Sequence, residues 1–212
     1  MSFTDLAAFR LTITTHLDVG SQIADSKLDD MIKIAENKVT KNLRVREMET
    51  ALAATINSSG YAAVPTDYLE AKNAYINSTP VRKLERKTVE WIYDNFPTRT
   101  AGVERYFARE GSNFIFGEAG SEGRVMKGIY YAKPTAMAST INAVFSSYPE
   151  VYLFAALSEC EPFIGRDART QLWRRSISRF WTTPILRTGM RDLVVLRWRR
   201  PMLKSSNRMV AP

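Results

Sequence analysis

The 212-residue chain is 45% hydrophobic and 25% charged, the balance of a soluble globular protein with enough apolar material for a core, and its formal net charge is +8. No stretch approaches the roughly 18 uninterrupted apolar residues that a membrane-spanning helix requires. Met1-Ser2-Phe3-Thr4-Asp5 lacks the basic-then-apolar order of a signal peptide, and the single cysteine, Cys160, excludes an internal disulfide and fits a reducing compartment.

In chain order, Phe3 to Leu17 reads as a helix capped by Thr4, with Leu6, Phe9, Ile13 and Leu17 at helical spacing. A second helix is expected from Asp25 or Ser26 to Leu43, with a loose capping box of Ser26 and Asp29 and an apolar stripe of Leu28, Met31, Ile32, Ala35, Val39 and Leu43. The period then changes. Thr50 to Ile56 reads as a strand, Asn57-Ser58-Ser59-Gly60 as a turn and Tyr61 to Val64 as the strand that completes a hairpin. Leu69 to Ile76 and Val81 to Leu84 form another strand pair, and Thr88 caps a short helix to Tyr93. Three strands follow at Tyr106 to Arg109, Asn113 to Phe116 and Arg124 to Ala132, the first two joined through Glu110-Gly111-Ser112. Tyr148 to Ile164 returns to helix. Asp167 caps a last helix to Trp181, with Leu172, Ile177 and Phe180 inward. Asp192 to Trp198 has local strand character, and Pro201 to Pro212 has no periodicity.

The expected fold class is α+β. It is read as mainly a helical bundle of the N- and C-terminal helices (3–43 and 148–181), with a β-rich antiparallel insertion at 48–133 and an extended C-terminal arm. The domain division is 1–190 for the body and 191–212 for the arm.

Charge is distributed unevenly over that plan. From Arg166 onward twelve basic residues face only Asp167 and Asp192, a net +10 that leaves the preceding chain at −2. Such an end suits an acidic partner, either DNA or an acidic protein surface, or forms a solvated tail. Its most distinctive segment is Arg197-Trp198-Arg199-Arg200. Arginine with an interleaved aromatic can grip phosphates and stack on bases, and Trp and Arg also dominate protein interfaces.

Sites for chemistry are sparse in the sequence. His16 is the only histidine and lies near a helix C-terminus, where a cation complements the helix dipole. With one cysteine and one histidine there is no zinc-ligand set, and no other metal or cofactor site is expected. Cys160 reads as a small buried hydrophobe. Asp25, Asp29 and Asp30 complement a helix N-terminus, and Glu159 and Glu161 sit two apart and face different ways. The loop Gly117 to Gly123 is glycine-rich but acidic and precedes a strand, unlike a phosphate-cradling loop. Asn57-Ser58-Ser59 and Asn77-Ser78-Thr79 match the glycosylation pattern but read as turns. No constellation points to an enzyme.

Six segments in order carry a resemblance. They are IAENKVTKNLRVREMET (Ile34 to Thr50), VPTDYLE (Val64 to Glu70), TPVRKLE (Thr79 to Glu85), IYYAKP (Ile129 to Pro134), YPEVYLFAAL (Tyr148 to Leu157) and DARTQLW (Asp167 to Trp173). Together they resemble the head-to-tail adaptor (connector) family of tailed bacteriophages, of the short-tailed type. That resemblance implies a virion structural protein, assembled in the host cytoplasm. It implies a ring, commonly of twelve copies, that extends the DNA channel beneath the portal protein and docks the tail nozzle or tail tube proteins. DNA would pass through without sequence-specific binding, and no membrane is involved. It further implies a portal-binding role for the arm, with Arg191, Arg197, Trp198, Arg199, Arg200, Lys204 and Arg208 as the contact residues. A tail-completion or terminator protein, or a DNA-binding protein using the basic end, are the alternative readings.

Overall fold

A computed structural model of the protein describes residues 5–18, 23–100, 102–119, 122–137, 141–160 and 169–182. Helix α1 (Leu6–Leu17) is capped by Asp5, whose carboxylate accepts from the Ala8 amide at 2.7 Å. Helix α2 (Asp25–Asn42) has no side-chain cap, because Ala24 occupies the N-cap position, and Asp29 pairs with Arg10 of α1 at 2.5 Å. The expected caps, Thr4 and the Ser26–Asp29 pair, therefore give way to a local cap and to a tertiary ion pair. A 3₁₀ turn (Arg46–Met48) leads into the strands β1 (Glu49–Thr55), β2 (Ala62–Ala63), β3 (Tyr68–Ile76), β4 (Arg82–Lys83) and β5 (Glu85–Arg86). Helix α3 (Val89–Asn95), capped by Thr88 as expected, precedes β6 (Tyr106–Glu110), β7 (Asn113–Phe116) and β8 (Val125–Ala132). Helices α4 (Ala143–Ser147), α5 (Pro149–Leu157) and α6 (Thr170–Thr182) complete the described chain.

The strands form two four-stranded sheets, ordered β1-β8-β3-β4 and β2-β7-β6-β5. This corrects the expectation of a molecule that is mainly a helical bundle. The class is α+β, but the sheets own a separate apolar core, built around Leu52, Ile56, Ile76, Phe107, Phe114, Phe116 and Met126 between their facing sides. Alternating burial along β1, with Leu52 and Ala54 inward, is the period-2 signature of a half-buried strand. Nor is the β region wholly antiparallel. β5 pairs with β6 in parallel, because α3 forms the crossover between them. The expected hairpin of Thr50 to Ile56 with Tyr61 to Val64 closes at one bridge only, Ile56 to Ala62, after which β2 leaves to pair with β7 in the second sheet. On that sheet's far side α3 covers Ala108 and Ile115 with Ile92.

The helical half packs around α5, which is buried along nearly its whole length (Val151, Tyr152, Leu153, Ala155, Ala156, Leu157) and contacts α1, α2, α4 and α6. A helix apolar on all faces belongs in such a central position. Phe9, Phe145 and Tyr152 interlock edge to face at 4.8 and 5.2 Å. On α6 the inward residues are Trp173 and Ile177, whereas Leu172, expected inside, is 61% exposed. Asp167, the expected cap of that helix, lies outside the described residues.

Strand β8 joins the two halves. It pairs with β1 over Glu49 to Thr55 and with β3 over Tyr68 to Ile76, and its Tyr131 reaches the helical core beside Val45 and Met48. Tyr130 donates to Asp67 at 2.9 Å, and burial together with that carboxylate pushes its phenol up to about 12. At the centre sits Gly128. β3 is irregular here, with register shifts at Tyr68/Glu70 and Ala71/Asn73, and a side-chain carbon on Gly128 would overlap the Asn73 carbonyl and meet Ala74 Cα at 3.0 Å. Both obstacles are backbone and cannot rotate away.

Two outcomes are expected. Gly128→Ala destabilises the protein by about 1–3 kcal/mol in denaturant unfolding, the usual cost of overpacking, whereas Gly117→Ala, whose new carbon meets only the Phe96 ring, costs less. The second concerns Glu36, which accepts from the Met137 amide at 2.6 Å and whose carboxyl is raised above 4.5 by burial, outweighing that hydrogen bond and the nearby Lys133 and Lys33. The folded state therefore holds this proton more tightly than the unfolded chain. Its contribution to stability is complete below pH 4.5 and is lost as pH rises through the folded-state value. Glu36→Gln, which keeps the acceptor, is expected to melt above the parent at pH 7 and to lose that advantage below pH 4.5, read from thermal unfolding across pH.

Candidate interaction surface

The residues singled out for partner binding, Arg191, Arg197, Trp198, Arg199, Arg200, Lys204 and Arg208, lie outside the described residues, as does the strand-like stretch at 192–198. What is described is the helix that leads to them. The start of α6 is fastened to the C-terminus of α1, where Arg169 donates to the carbonyls of His16 (3.0 Å) and Leu17 (3.1 Å) and lies 5.4 Å from the Trp173 ring. Those carbonyls are the ones a helix end leaves unpaired, so a guanidinium there satisfies them and complements the dipole. His16, the expected cation at this end, bonds through Nδ1 to the Thr12 carbonyl at 2.9 Å.

Further along, Arg174 donates to the Ser158 carbonyl at 3.3 Å and Phe154 stacks on Phe180 at 6.4 Å. Lys38 of α2 pairs with Glu159 and reaches Ser158, tying α2 to the same corner. Cys160 is fully buried, with Sγ 3.6 Å from Thr170 Oγ1, the environment of a packing residue. The outer face of α6 shows Arg175, Arg179 and Leu172 to solvent. The charge excess read in the sequence thus runs along a helix anchored to the end of α1 and to α5.

A second ordered feature closes one end of the sheets. Glu104 is completely buried and takes Arg124 at 2.7 Å and Arg82 at 3.8 Å. These arginines stand at the start of β8 and on β4, so one carboxylate crosses the first sheet, and the arginine sides, about a third exposed, carry the charge outward. A third feature is a cation–aromatic cluster on the second sheet. Lys87 lies 5.1 Å from the Trp91 ring and 5.4 Å from Tyr106, which themselves meet edge to face at 4.8 Å. Lys87 and Trp91 line an open concavity with Arg86 and Arg109. Sequence reasoning missed both groups. Their members are scattered over more than 20 positions and come together only through strand pairing. The spacing of Arg86-Lys87 before an aromatic helix was the one available signal.

The glycine-rich segment Gly117 to Gly123 links β7 of the second sheet to β8 of the first, so it is a crossing between sheets and not a hairpin tip. Gly123 has φ +79° and Glu118 accepts from the Val103 amide. Among the described residues no three His, Cys, Asp or Glu side chains cluster as a metal site, and no helix is long and apolar enough to cross a membrane.

No curated protein gives a significant match to the chain. The family model described as SU10 adaptor protein matches residues 1–201, which takes in both halves of the fold, α6 and the Arg197-Trp198-Arg199-Arg200 segment, and stops short of Lys204 and Arg208. That span covers every one of the six segments whose order suggested a phage head-to-tail adaptor, and the chain belongs to the SU10 adaptor protein family.

Proposed function

We propose that this protein is a structural head-to-tail adaptor that forms a ring, of twelve copies, between the portal and the tail of a tailed phage, extends the DNA channel and docks tail proteins. The observation that carries this reading is the family match across nearly the whole chain, which makes the entire fold, and not one segment, adaptor-like. The charge distribution supports it. A wall that DNA must slide past should not attract phosphates strongly, and the chain before Arg166 has a net charge of −2. The +10 end then serves the portal contact, with Arg191, Arg197, Trp198, Arg199, Arg200, Lys204 and Arg208 as the gripping residues. An arm that orders on contact needs a firm root, and α6, pinned to the end of α1 and to α5, supports that assignment. The role is one of positioning and sealing, without catalysis or cofactor.

The same basic end supports a DNA-binding alternative, so the test must separate the two. Removing residues 191–212 is expected to leave the thermal unfolding midpoint unchanged and to weaken binding to the portal ring of the same virus by roughly tenfold or more, since several Arg and Trp anchors are lost together. Full-length protein is expected to bind duplex DNA only weakly at physiological salt. Undiminished portal binding by the truncated chain would remove the arm from the portal contact. Tight, steeply salt-dependent DNA binding without portal binding would replace the adaptor reading with the alternative.

A further inference from the structure

The first sheet has an open edge that nothing in the sequence guards. The Ile56 amide donates to Arg124 O at 2.8 Å and the Ile56 carbonyl accepts from the Gly123 amide at 3.0 Å, so Ile56 directs its backbone groups at β8. By the two-residue alternation of a strand, Ala54, Leu52 and Thr50 do the same, and Glu49, Ala51 and Ala53 direct theirs away from the sheet. Among the described residues no hydrogen bond outside the sheet takes up the amides or carbonyls of Ala51 and Ala53. β2 approaches only the far end, at Ile56. Natural edge strands are normally short, charged, bulged or broken by proline. β1 is seven residues long, its register with β8 runs unbroken, and from Thr50 to Ile56 it holds no charge and no proline.

The opposite edge of the same sheet is β4. The Leu84 amide donates to Ala74 O at 2.9 Å, so Leu84 and Arg82 face β3 and the backbone groups of Val81 and Lys83 face outward. Val81, the residue just before β4, is 63% exposed, and Lys83 is exposed beside it. The two edges match. Leu52 and Leu84 point to the inner core, and Glu49, Ala51, Val81 and Lys83 all stand on the outer face. The strand directions agree as well. Successive strands of this sheet are antiparallel, so β1 of a second copy laid beside β4 would continue the alternation.

We infer that the sheet is continued between copies of this chain, with the β1 edge of one copy adding antiparallel to the β4 edge of the next, Ala51 opposite Val81 and Glu49 opposite Lys83. This register covers the exposed Val81 and brings Lys83 of one copy beside Glu49 of the next, whose carboxylate already holds Lys72 of its own chain at 2.7 Å, so the acidic residue is shared between two lysines. Because the two edges differ, the contact is head to tail. Each copy offers one of each, which is the requirement for a closed ring. The inference rests on the adaptor reading and supplies the neighbour contact that a ring needs.

The test uses the full chain carrying both Ala51→Cys and Val81→Cys, exposed positions at which the fold tolerates a small side chain, with Cys160 buried and left in place. Assembled with its portal ring and oxidised, it is expected to give a ladder of disulfide-linked oligomers on non-reducing gels, since directly opposed residues lie about 5.5 Å apart at Cα, within disulfide reach. Each single variant is expected to stay monomeric on the same gel. A ring of normal mass with no ladder overturns this inference and leaves the adaptor reading intact. Dimers from Ala51→Cys alone would mean that two β1 edges pair with each other, and would also overturn it. Failure to join the portal at all sinks both.

Discussion

Strand β8 is the constraint on which the rest of the structure depends. It comes late in the chain yet lies between β1 and β3, and no local signal dictates that placement. Once it is there, Met126 and Tyr130 fill the space between the sheets while Tyr131 enters the helical core, so a single strand fastens both halves of the molecule. The close passage of β3 over Gly128 is the cost of that arrangement, since the irregular β3 backbone leaves no room for a side chain. Glu104 reinforces the same strand from its other end by holding Arg124 at the β8 entry and Arg82 on β4.

The two cores divide the mechanical work. The helical half surrounds α5 and terminates in α6, whose base is fixed by Arg169, Arg174, Trp173 and Ile177. The sheet half presents strand edges and the Lys87–Trp91–Tyr106 cluster. For a protein proposed to sit between two other assemblies, this separation is useful. One half can carry a basic arm towards one partner while the other provides surfaces for neighbours and tail proteins. Interactions of this kind need position and complementarity rather than reactive groups. Burial pushes Tyr152 and Tyr130 up to about 12, helped at Tyr130 by the Asp67 carboxylate and opposed at Tyr152 by the bond to Asn142.

Much of the local structure was legible in the sequence because local physics determines it. The stripe of Leu28, Met31, Ile32, Ala35 and Val39 marks α2, Thr88 marks the start of α3, and Gly60 and Gly111 occupy turns with φ of 75° and 57°. What failed was long-range. Nothing in Tyr61-Ala62-Ala63-Val64 says that it belongs to a different sheet from the strand just before it, and nothing in Glu85-Arg86 announces a parallel partner across α3. The helix α4 escaped notice because five residues carry too little periodicity, although Asn142 caps it with a 2.8 Å bond to the Phe145 amide. Leu172 was assigned inward and Trp173 was passed over, a one-residue error that rotates a helical face by about 100°. The family, by contrast, was readable from ordered short segments, since these record ancestry rather than pairing.

The most direct test of the account is the mass of the purified protein by light scattering, alone and after mixing with the portal ring of its own virus. The account predicts a discrete portal complex enlarged by about twelve copies of the chain, matching the symmetry of a closed head-to-tail ring. A portal whose mass is unchanged in the presence of excess protein would contradict it.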